Sequence, residues 1–210
     1  MPVKNCLKVY KPNAYYHVYN RGVEKRTIFQ TERDYKIFLS YLKFYLQGQS
    51  LQVLSSSRQP NNFYDEIELI AYTLMPNHFH MLLHQTNTMD INYFMRSLMT
   101  RYVSQFNKRY QRVGPLFQSR YKAVLIESKD QLIYTTKYIH RNCLDLFSDK
   151  LPARTVLEGY KYSSYLNYTG VVNQIWVNPE PVLRHYVKLY PNKLYENYVW
   201  EEGDGFKDCP

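Results

Sequence analysis

The sequence predicts an α+β fold, a ferredoxin-like antiparallel sheet with helices on one face. Strand-like and helical segments alternate from residue 14 to about residue 142, and two strands follow each other directly across Met75-Pro76-Asn77. A connection this short joins antiparallel strands, because a parallel pair needs a crossover of about a dozen residues or more. The order strand, helix, two strands, helix, strand, helix therefore indicates a ferredoxin-like sandwich.

The first half of the chain supplies a strand, a helix and a hairpin. Residues 14–20 are predicted as the first strand, which ends at Arg21-Gly22. Thr31 is the expected N-cap of the first helix, with Asp34 three residues later in a partial capping box. Apolar residues at helical spacing then continue to about residue 47. The remaining predictions here are a short strand at 51–54, a surface loop at 55–63 and a strand at 66–74.

The second half begins with a helix over residues 91–110, for which Asp90 is the predicted cap. A short strand follows at 123–127, and Ser128 is predicted to cap a helix over 129–142. Beyond residue 150 the pattern is less regular, with a predicted strand at 175–177, a helix at 181–190 and a frayed tail. We therefore divide the chain into a domain of residues 1–150 and a C-terminal extension, residues 151–210, packed on the same domain.

Composition favours a polyanionic partner. The 210 residues carry a net charge of +9, and 45% of them are hydrophobic, which is typical of a globular chain. No apolar run approaches the roughly 20 residues of a membrane span, so no membrane partner is expected. The three cysteines lie far apart and suggest no disulfide framework. A cytoplasmic, nucleoid-associated protein fits these features.

The positive charge is concentrated in one block. Residues 91–126 contain no acidic residue, seven basic ones and interleaved aromatic rings. Cations that follow phosphates beside rings that stack on bases are typical of single-stranded nucleic acid binding. A second basic group follows the first strand. The candidate DNA-binding residues are Arg21, Lys25, Arg26, Arg101, Lys108, Arg120 and Lys122.

The segment around His78 and His80 carries the clearest chemical pattern. On a strand these two side chains point to one face and Phe79 points to the other. Two imidazoles side by side are half of a divalent metal site, although two polar residues on the wet face of a sheet would look the same. On the predicted helix over 129–142, Tyr138 and Asn142 lie four residues apart and share a face, so a nucleophile and a metal-binding amide would be adjacent.

These motifs resemble the single-tyrosine HUH transposases, in particular the REP-associated tyrosine transposase branch. Met75-Pro-Asn-His-Phe-His80 and Tyr138-Ile-His-Arg-Asn142 are the most specific segments. Further similar segments lie at 16–22, 71–83, 101–109, 114–122 and 162–165.

The resemblance implies an HUH endonuclease-type fold and metal-dependent, sequence-specific nicking and strand transfer at hairpin sites in single-stranded DNA, that is, DNA transposition. It implies that His78, His80 and Asn142 bind Mg²⁺ or Mn²⁺, and that Tyr138 forms a 5′-phosphotyrosine link and leaves a 3′-hydroxyl. The protein would act as a monomer or a homodimer. One departure is that Cys143 stands where the family usually has proline, which loosens the helix end at Asn142.

Three other functions compete with this one. A domesticated hairpin-binding protein without turnover would need neither Tyr138 nor the histidine pair. A replication-initiator-type nickase or relaxase would use the same chemistry but differ outside the motifs. An RNA-binding module would carry stacking aromatics on its central strands, where this chain carries histidines.

Overall fold

A computed structural model describes residues 10–48, 62–147 and 151–201 of the chain. Its centre is a four-stranded sheet in which every neighbouring pair is antiparallel. The strands are Ala14–Arg21 (β1), Ile67–Met75 (β2), His78–Gln85 (β3) and Lys122–Leu125 (β4). They lie side by side in the order β2-β3-β1-β4. This order confirms the predicted α+β fold with ferredoxin-like connections.

Two helices cover one face of the sheet, as predicted. They span Glu32–Leu46 (α1) and Asp90–Arg109 (α2), and they pack on each other and on β2. Their apolar side meets Val18, Phe79 and Met81, which are fully buried in one core. These residues alternate along their strands with residues of the opposite face, so each strand contributes to two environments.

The opposite face is also covered by helices, which the prediction of helices on one face did not include. The helix Lys129–Arg141 (α3) packs on β2 and β3. Ala71 and Leu82 of the sheet join α3 in a second core, and apolar residues on this face need such a cover. Four short helices follow, Ala153–Gly159 (α4), Tyr165–Tyr168 (α5), Glu180–Leu189 (α6) and Tyr195–Trp200 (α7).

The C-terminal segment covers the outer edge of β2 as well. The Leu74 N–H donates to the Tyr162 carbonyl at 2.9 Å, and the Ser164 N–H donates to the Tyr72 carbonyl at 3.0 Å. Backbone groups of an edge strand thus have partners within the chain. The contacts place the segment against the sheet, while the division of the chain at residue 150 stays a prediction.

The predicted helix starts at Thr31 and Ser128 are present. The Asp34 carboxylate accepts the Thr31 N–H at 2.9 Å and completes a capping box for α1. The same carboxylate accepts the Tyr110 hydroxyl at 2.7 Å, which ties the start of α1 to the end of α2. The Ser128 hydroxyl oxygen accepts the Gln131 N–H at 3.1 Å and caps α3.

Two local predictions are wrong. Asp90 is the first residue of α2 and not its N-cap, and its carboxylate accepts the Asn87 N–H in the preceding turn. Residues 175–177 form a turn and not a strand, because Trp176 is drawn into the core and stacks on Tyr72 with ring centroids 5.6 Å apart.

The predicted strand at 51–54 lies outside the described residues, as do most of the 55–63 loop and nearly all of the tail. Within the described ranges, none of the helices has the length and apolar character to cross a membrane.

A buried histidine links α3 to the C-terminal helices. The two ring nitrogens of His140 lie 3.0 Å from the Tyr195 hydroxyl and 2.9 Å from the Ser164 hydroxyl oxygen. Burial lowers the pKa of His140 to about 3, so the ring is neutral, with one nitrogen donating and the other accepting. Both ring nitrogens are therefore satisfied without a charge.

We expect Tyr195→Phe to lower the free energy of unfolding by about 1–3 kcal/mol, because a buried ring nitrogen of His140 loses its partner. Denaturant unfolding followed by fluorescence measures the change. The matched control is Tyr190→Phe, which removes a hydroxyl from a side chain that is 40% exposed. Equal unfolding midpoints for the two variants would contradict the role assigned to the Tyr195 hydroxyl.

Candidate active site

A row of side chains crosses the sheet on the face covered by α3. Antiparallel pairing places His80 of β3 beside Tyr19 of β1, and Tyr19 beside Lys122 of β4. His78 projects from the same face because side chains alternate along a strand, while Phe79 is buried in the core on the other side. The rings of His78 and His80 lie with their centroids 5.1 Å apart, so the histidines form the pair that the sequence predicts.

His78 lies between two amide side chains. Its Nδ1 is 2.6 Å from the Asn77 Oδ1, and its Nε2 is 3.4 Å from the Asn142 Oδ1. Asn77 belongs to the turn before β3, and Asn142 lies at the end of α3. The contact therefore joins the sheet to the helix that carries Tyr138.

Tyr138 and Asn142 occupy successive turns at the end of α3. The Tyr138 ring is edge-on to the ring of His80, with centroids 5.5 Å apart, and the Asn142 Nδ2 donates to the Tyr138 carbonyl at 3.0 Å. In place of the stop that a proline would impose, α3 continues into a 3-10 turn over Asn142–Leu146. The pose of Asn142 is thus set by its contacts with His78 and Tyr138.

His80 is held by a third histidine, His17 of β1. The His80 Nδ1 and the His17 Nε2 are 2.8 Å apart, and both side chains are at least 95% buried. The rings are nearly parallel, with centroids 5.1 Å apart. Because this bond occupies Nδ1, Nε2 is the nitrogen of His80 that is left to bind another group.

All three histidines are neutral at neutral pH. Burial lowers the pKa of His17 to about 4, and burial also lowers the pKa of His80 well below its ordinary value, with the neighbouring His17 adding to the effect. The pKa of His78 is lowered by burial, against the opposing effect of the neighbouring Asn142 side chain. Neutral imidazole is the form that binds a metal ion.

The donor set fits a hard divalent cation. His78 Nε2 and Asn142 Oδ1 converge at a distance that is long for a hydrogen bond, and His80 contributes a further nitrogen. Within the described ranges, no three His, Cys, Asp or Glu side chains gather as a metal site, so the set depends on the amide oxygen. A carboxamide oxygen suits Mg²⁺ and Mn²⁺, whereas imidazole also suits other transition metals, so the donor set is compatible with a divalent cation.

Part of the predicted DNA-binding group lies beside these residues. Arg21 pairs with His78 across the β1–β3 ladder, and its positive charge contributes to lowering the pKa of that histidine. Lys122 places its ammonium 5.6 Å from the centroid of the Tyr19 ring, on the site face. Lys25 lies in the exposed turn after β1, and its carbonyl accepts the Asn77 Nδ2 at 3.2 Å.

The other cations are placed differently. Arg26, in the same turn as Lys25, is paired with Glu24 at 3.1 Å. Arg120 is exposed just before β4. Arg101 and Lys108 are exposed on α2, which packs on the sheet face away from the histidines, and Arg101 lies 4.6 Å from the centroid of the Tyr41 ring.

Sequence reasoning missed two residues of this site. His17 and Asn77 are not among the residues that the sequence predicts for the site, yet each lies within hydrogen-bond distance of one histidine of the pair. The register of β1 against β3 brings His17 to His80, and nothing local in the sequence specifies it. His140 and His84 lie elsewhere, with His84 half-buried against the Tyr15 ring at a centroid distance of 4.7 Å.

Comparisons with known proteins agree with this architecture. The structure is similar to that of a REP-associated tyrosine transposase solved with a bound REP hairpin, at 12% identity and a TM-score of 0.55, over 84% of this chain and 98% of that one. That likeness concerns the fold. A weaker match is a protein of Deinococcus radiodurans described as a candidate transposase, at 14% identity and a TM-score of 0.39, over 63% of this chain and 91% of that one. A structural likeness this weak supports no conclusion about the chain.

The comparison with curated proteins found no match. The profile of a transposase family, described as "Transposase IS200 like", matches residues 37–142, just over half of the chain. The matched region runs from α1 to the end of α3 and contains His78, His80, Tyr138 and Asn142. The chain belongs to the family of IS200-like transposases.

Proposed function

We propose that this transposase-family protein nicks single-stranded DNA at hairpin sites and rejoins it through a 5′-phosphotyrosine intermediate, with a divalent metal. One observation carries the proposal: the Tyr138 ring, the His78 and His80 imidazoles and the Asn142 amide converge on one face of the sheet. DNA binding alone requires none of these groups to meet.

Tyr138 supplies the nucleophile. Its phenolic oxygen attacks the phosphorus and forms a new O–P bond, while the bond from phosphorus to the 3′ oxygen breaks. The phenolic proton passes to solvent, and the departing oxygen takes up a proton to become a 3′-hydroxyl. The phosphodiester energy is kept in the phosphotyrosine bond, so a 3′-hydroxyl can later displace the tyrosine and rejoin a strand.

His78, His80 and Asn142 are the residues that would hold Mg²⁺ or Mn²⁺. When bound, such an ion withdraws charge from the phosphate oxygens and helps to orient the scissile bond. The chain itself contributes rigidity: the histidines lie on a central strand, and α3 carries both Tyr138 and Asn142. The relative positions of nucleophile and ligands are therefore set by packing before DNA arrives.

The proposed substrate is single-stranded DNA that folds into a hairpin. The basic residues of this chain support a polyanionic partner, and the solved REP-associated transposase of similar fold was bound to a REP hairpin. All four residues of the site come from one chain, so a monomer or a homodimer would serve. A DNA substrate would place the protein at the nucleoid in the cytoplasm.

We expect Tyr138→Phe to abolish a covalent protein–DNA adduct while leaving hairpin affinity nearly unchanged, because the variant loses only the nucleophilic oxygen. The measurement is denaturing gel electrophoresis after incubation with labelled single-stranded hairpin DNA and Mg²⁺ or Mn²⁺. The hairpins would be taken from the DNA that flanks the gene. Omitting the metal should also prevent the adduct.

The matched control is Tyr134→Phe, one turn earlier on α3, which should keep the adduct. An adduct that persists in Tyr138→Phe would assign the nucleophile to another tyrosine. Tight hairpin binding without any adduct in the wild type would favour a binding protein without turnover. Cleavage without strand rejoining would favour a nickase of the replication-initiator type.

The two groups of cations should act differently. Replacing Arg21 and Lys122 by Gln should slow adduct formation at saturating DNA, because these cations lie on the site face, where the scissile phosphate would bind. Replacing Arg101 and Lys108 by Gln removes the same charge but should weaken binding only. Loss of two phosphate contacts reduces the log–log salt slope by about 1.4.

Filter binding at several salt concentrations measures the DNA affinity and its salt slope. Single-turnover experiments at saturating DNA measure the rate of adduct formation. Identical adduct rates at saturation for both double variants would contradict the assignment of Arg21 and Lys122 to the reacting phosphate.

A further inference from the structure

We propose that Asn77 and His17 are positioning residues that hold the ring protons of His78 and His80 on Nδ1, so that both Nε2 lone pairs remain available to a divalent cation. This inference rests on the metal use in the proposed function and deepens it. Each acts through one histidine of the pair, with which it makes a short contact at Nδ1: Asn77 at His78 and His17 at His80.

The orientation of the Asn77 amide determines the proton position on His78. The Asn77 Nδ2 donates to the Lys25 carbonyl at 3.2 Å, an acceptor that only the NH₂ end can use. The Oδ1 end therefore faces His78 Nδ1 at 2.6 Å, and the nitrogen must be the donor. A neutral imidazole carries one proton, so a proton on Nδ1 leaves a lone pair on Nε2.

The Asn142 amide is oriented in the same way. Its Nδ2 donates to the Tyr138 carbonyl at 3.0 Å, which turns its Oδ1 toward His78 Nε2 at 3.4 Å. Two lone pairs then face each other with no hydrogen between them. A cation satisfies both atoms, whereas the other tautomer of His78 would donate a hydrogen bond to Asn142 and block the nitrogen.

His17 is the corresponding neighbour of His80. Its Nε2 lies 2.8 Å from His80 Nδ1, and both rings are buried. If His17 accepts, the proton of His80 is on Nδ1 and Nε2 can bind a metal ion. If His17 donated instead, His80 would carry its proton on Nε2. Metal-binding histidines generally donate their other N–H to a fixed acceptor, which orients the ring.

The turn after β1, which supplies the Lys25 carbonyl to Asn77, is itself strongly constrained. Glu24 and Lys25 have positive φ angles of 54° and 60°, which are uncommon for residues other than glycine. The Gly22 N–H donates to the Asn77 carbonyl at 2.8 Å, and the Ile28 N–H donates to the Pro76 carbonyl at 2.7 Å. The Lys25 carbonyl is thus a fixed acceptor, and the Asn77 amide is held in one orientation.

Two measurements on the metal-free and metal-titrated protein test the inference. Two-bond ¹H–¹⁵N correlation spectra report which ring nitrogen of each histidine is protonated, with His78→Ala and His80→Ala as assignment variants. Calorimetric titration with Mn²⁺ reports affinity without DNA. The test variants are Asn77→Ala and His17→Phe, and the matched controls are Asn92→Ala and His84→Phe.

We expect Nδ1–H tautomers for His78 and His80 in the wild type, and Mn²⁺ affinity about 10–100-fold weaker in each test variant. Asn77→Asp keeps an oxygen toward His78 and should restore most of the affinity, which a merely structural role for Asn77 would not explain. The controls should bind like the wild type. Thermal unfolding identifies any variant that fails to fold. In that case the wild-type ¹H–¹⁵N spectra still show which ring nitrogen of His78 and of His80 is protonated, and so still test the inference.

An Nε2–H tautomer of His78 or of His80 in the wild type would overturn the inference. So would unchanged Mn²⁺ affinity in both test variants, and in that case the proposed function would stand. A wild-type protein that binds no Mn²⁺ would overturn the metal use in the proposed function and this inference together, while Tyr138-dependent adduct formation would then still be tested separately.

Discussion

The pairing of β1 with β3 at the centre of the sheet is the constraint on which the rest of the site depends. The register sets His80 opposite Tyr19 and His78 opposite Arg21, so one ladder determines which side chains share a face. A slip of one residue would move every side chain of a strand to the other face. The apolar alternation that buries Phe79 and Met81 under α1 and α2 therefore also fixes the two histidines beneath α3.

Burial has a chemical as well as a mechanical consequence here. Three histidines close together would repel one another if charged, and the low-dielectric surroundings keep them neutral. The polar contacts that remain are made by amides and imidazoles, which can be satisfied without a net charge. Under the proposed function, such a site would leave room for the positive charge of a metal ion and the negative charge of DNA.

Most elements could be predicted from local patterns, because helical spacing, capping boxes and short connections act within a few residues. Thr31 and Ser128 mark helix starts for that reason, and the sequence motifs indicate His78, His80, Tyr138 and Asn142. The contact between His17 and His80 is set by strand register over 63 positions, which no local pattern contains. The helix α3 was predicted, but the face of the sheet on which it packs was not, because that face is set by contacts with strands distant in the sequence and not by the helix's own periodic pattern.

The covering of the β2 edge has an evolutionary consequence. The C-terminal segment supplies none of the four proposed catalytic groups, yet it occupies backbone positions such as those of Tyr72 and Leu74. A shortened chain that kept His78, His80, Tyr138 and Asn142 but lacked this segment would expose an open strand edge next to an apolar face, which is a template for aggregation. Selection on solubility, independent of any selection on DNA chemistry, would therefore retain a segment that supplies none of the four proposed catalytic groups.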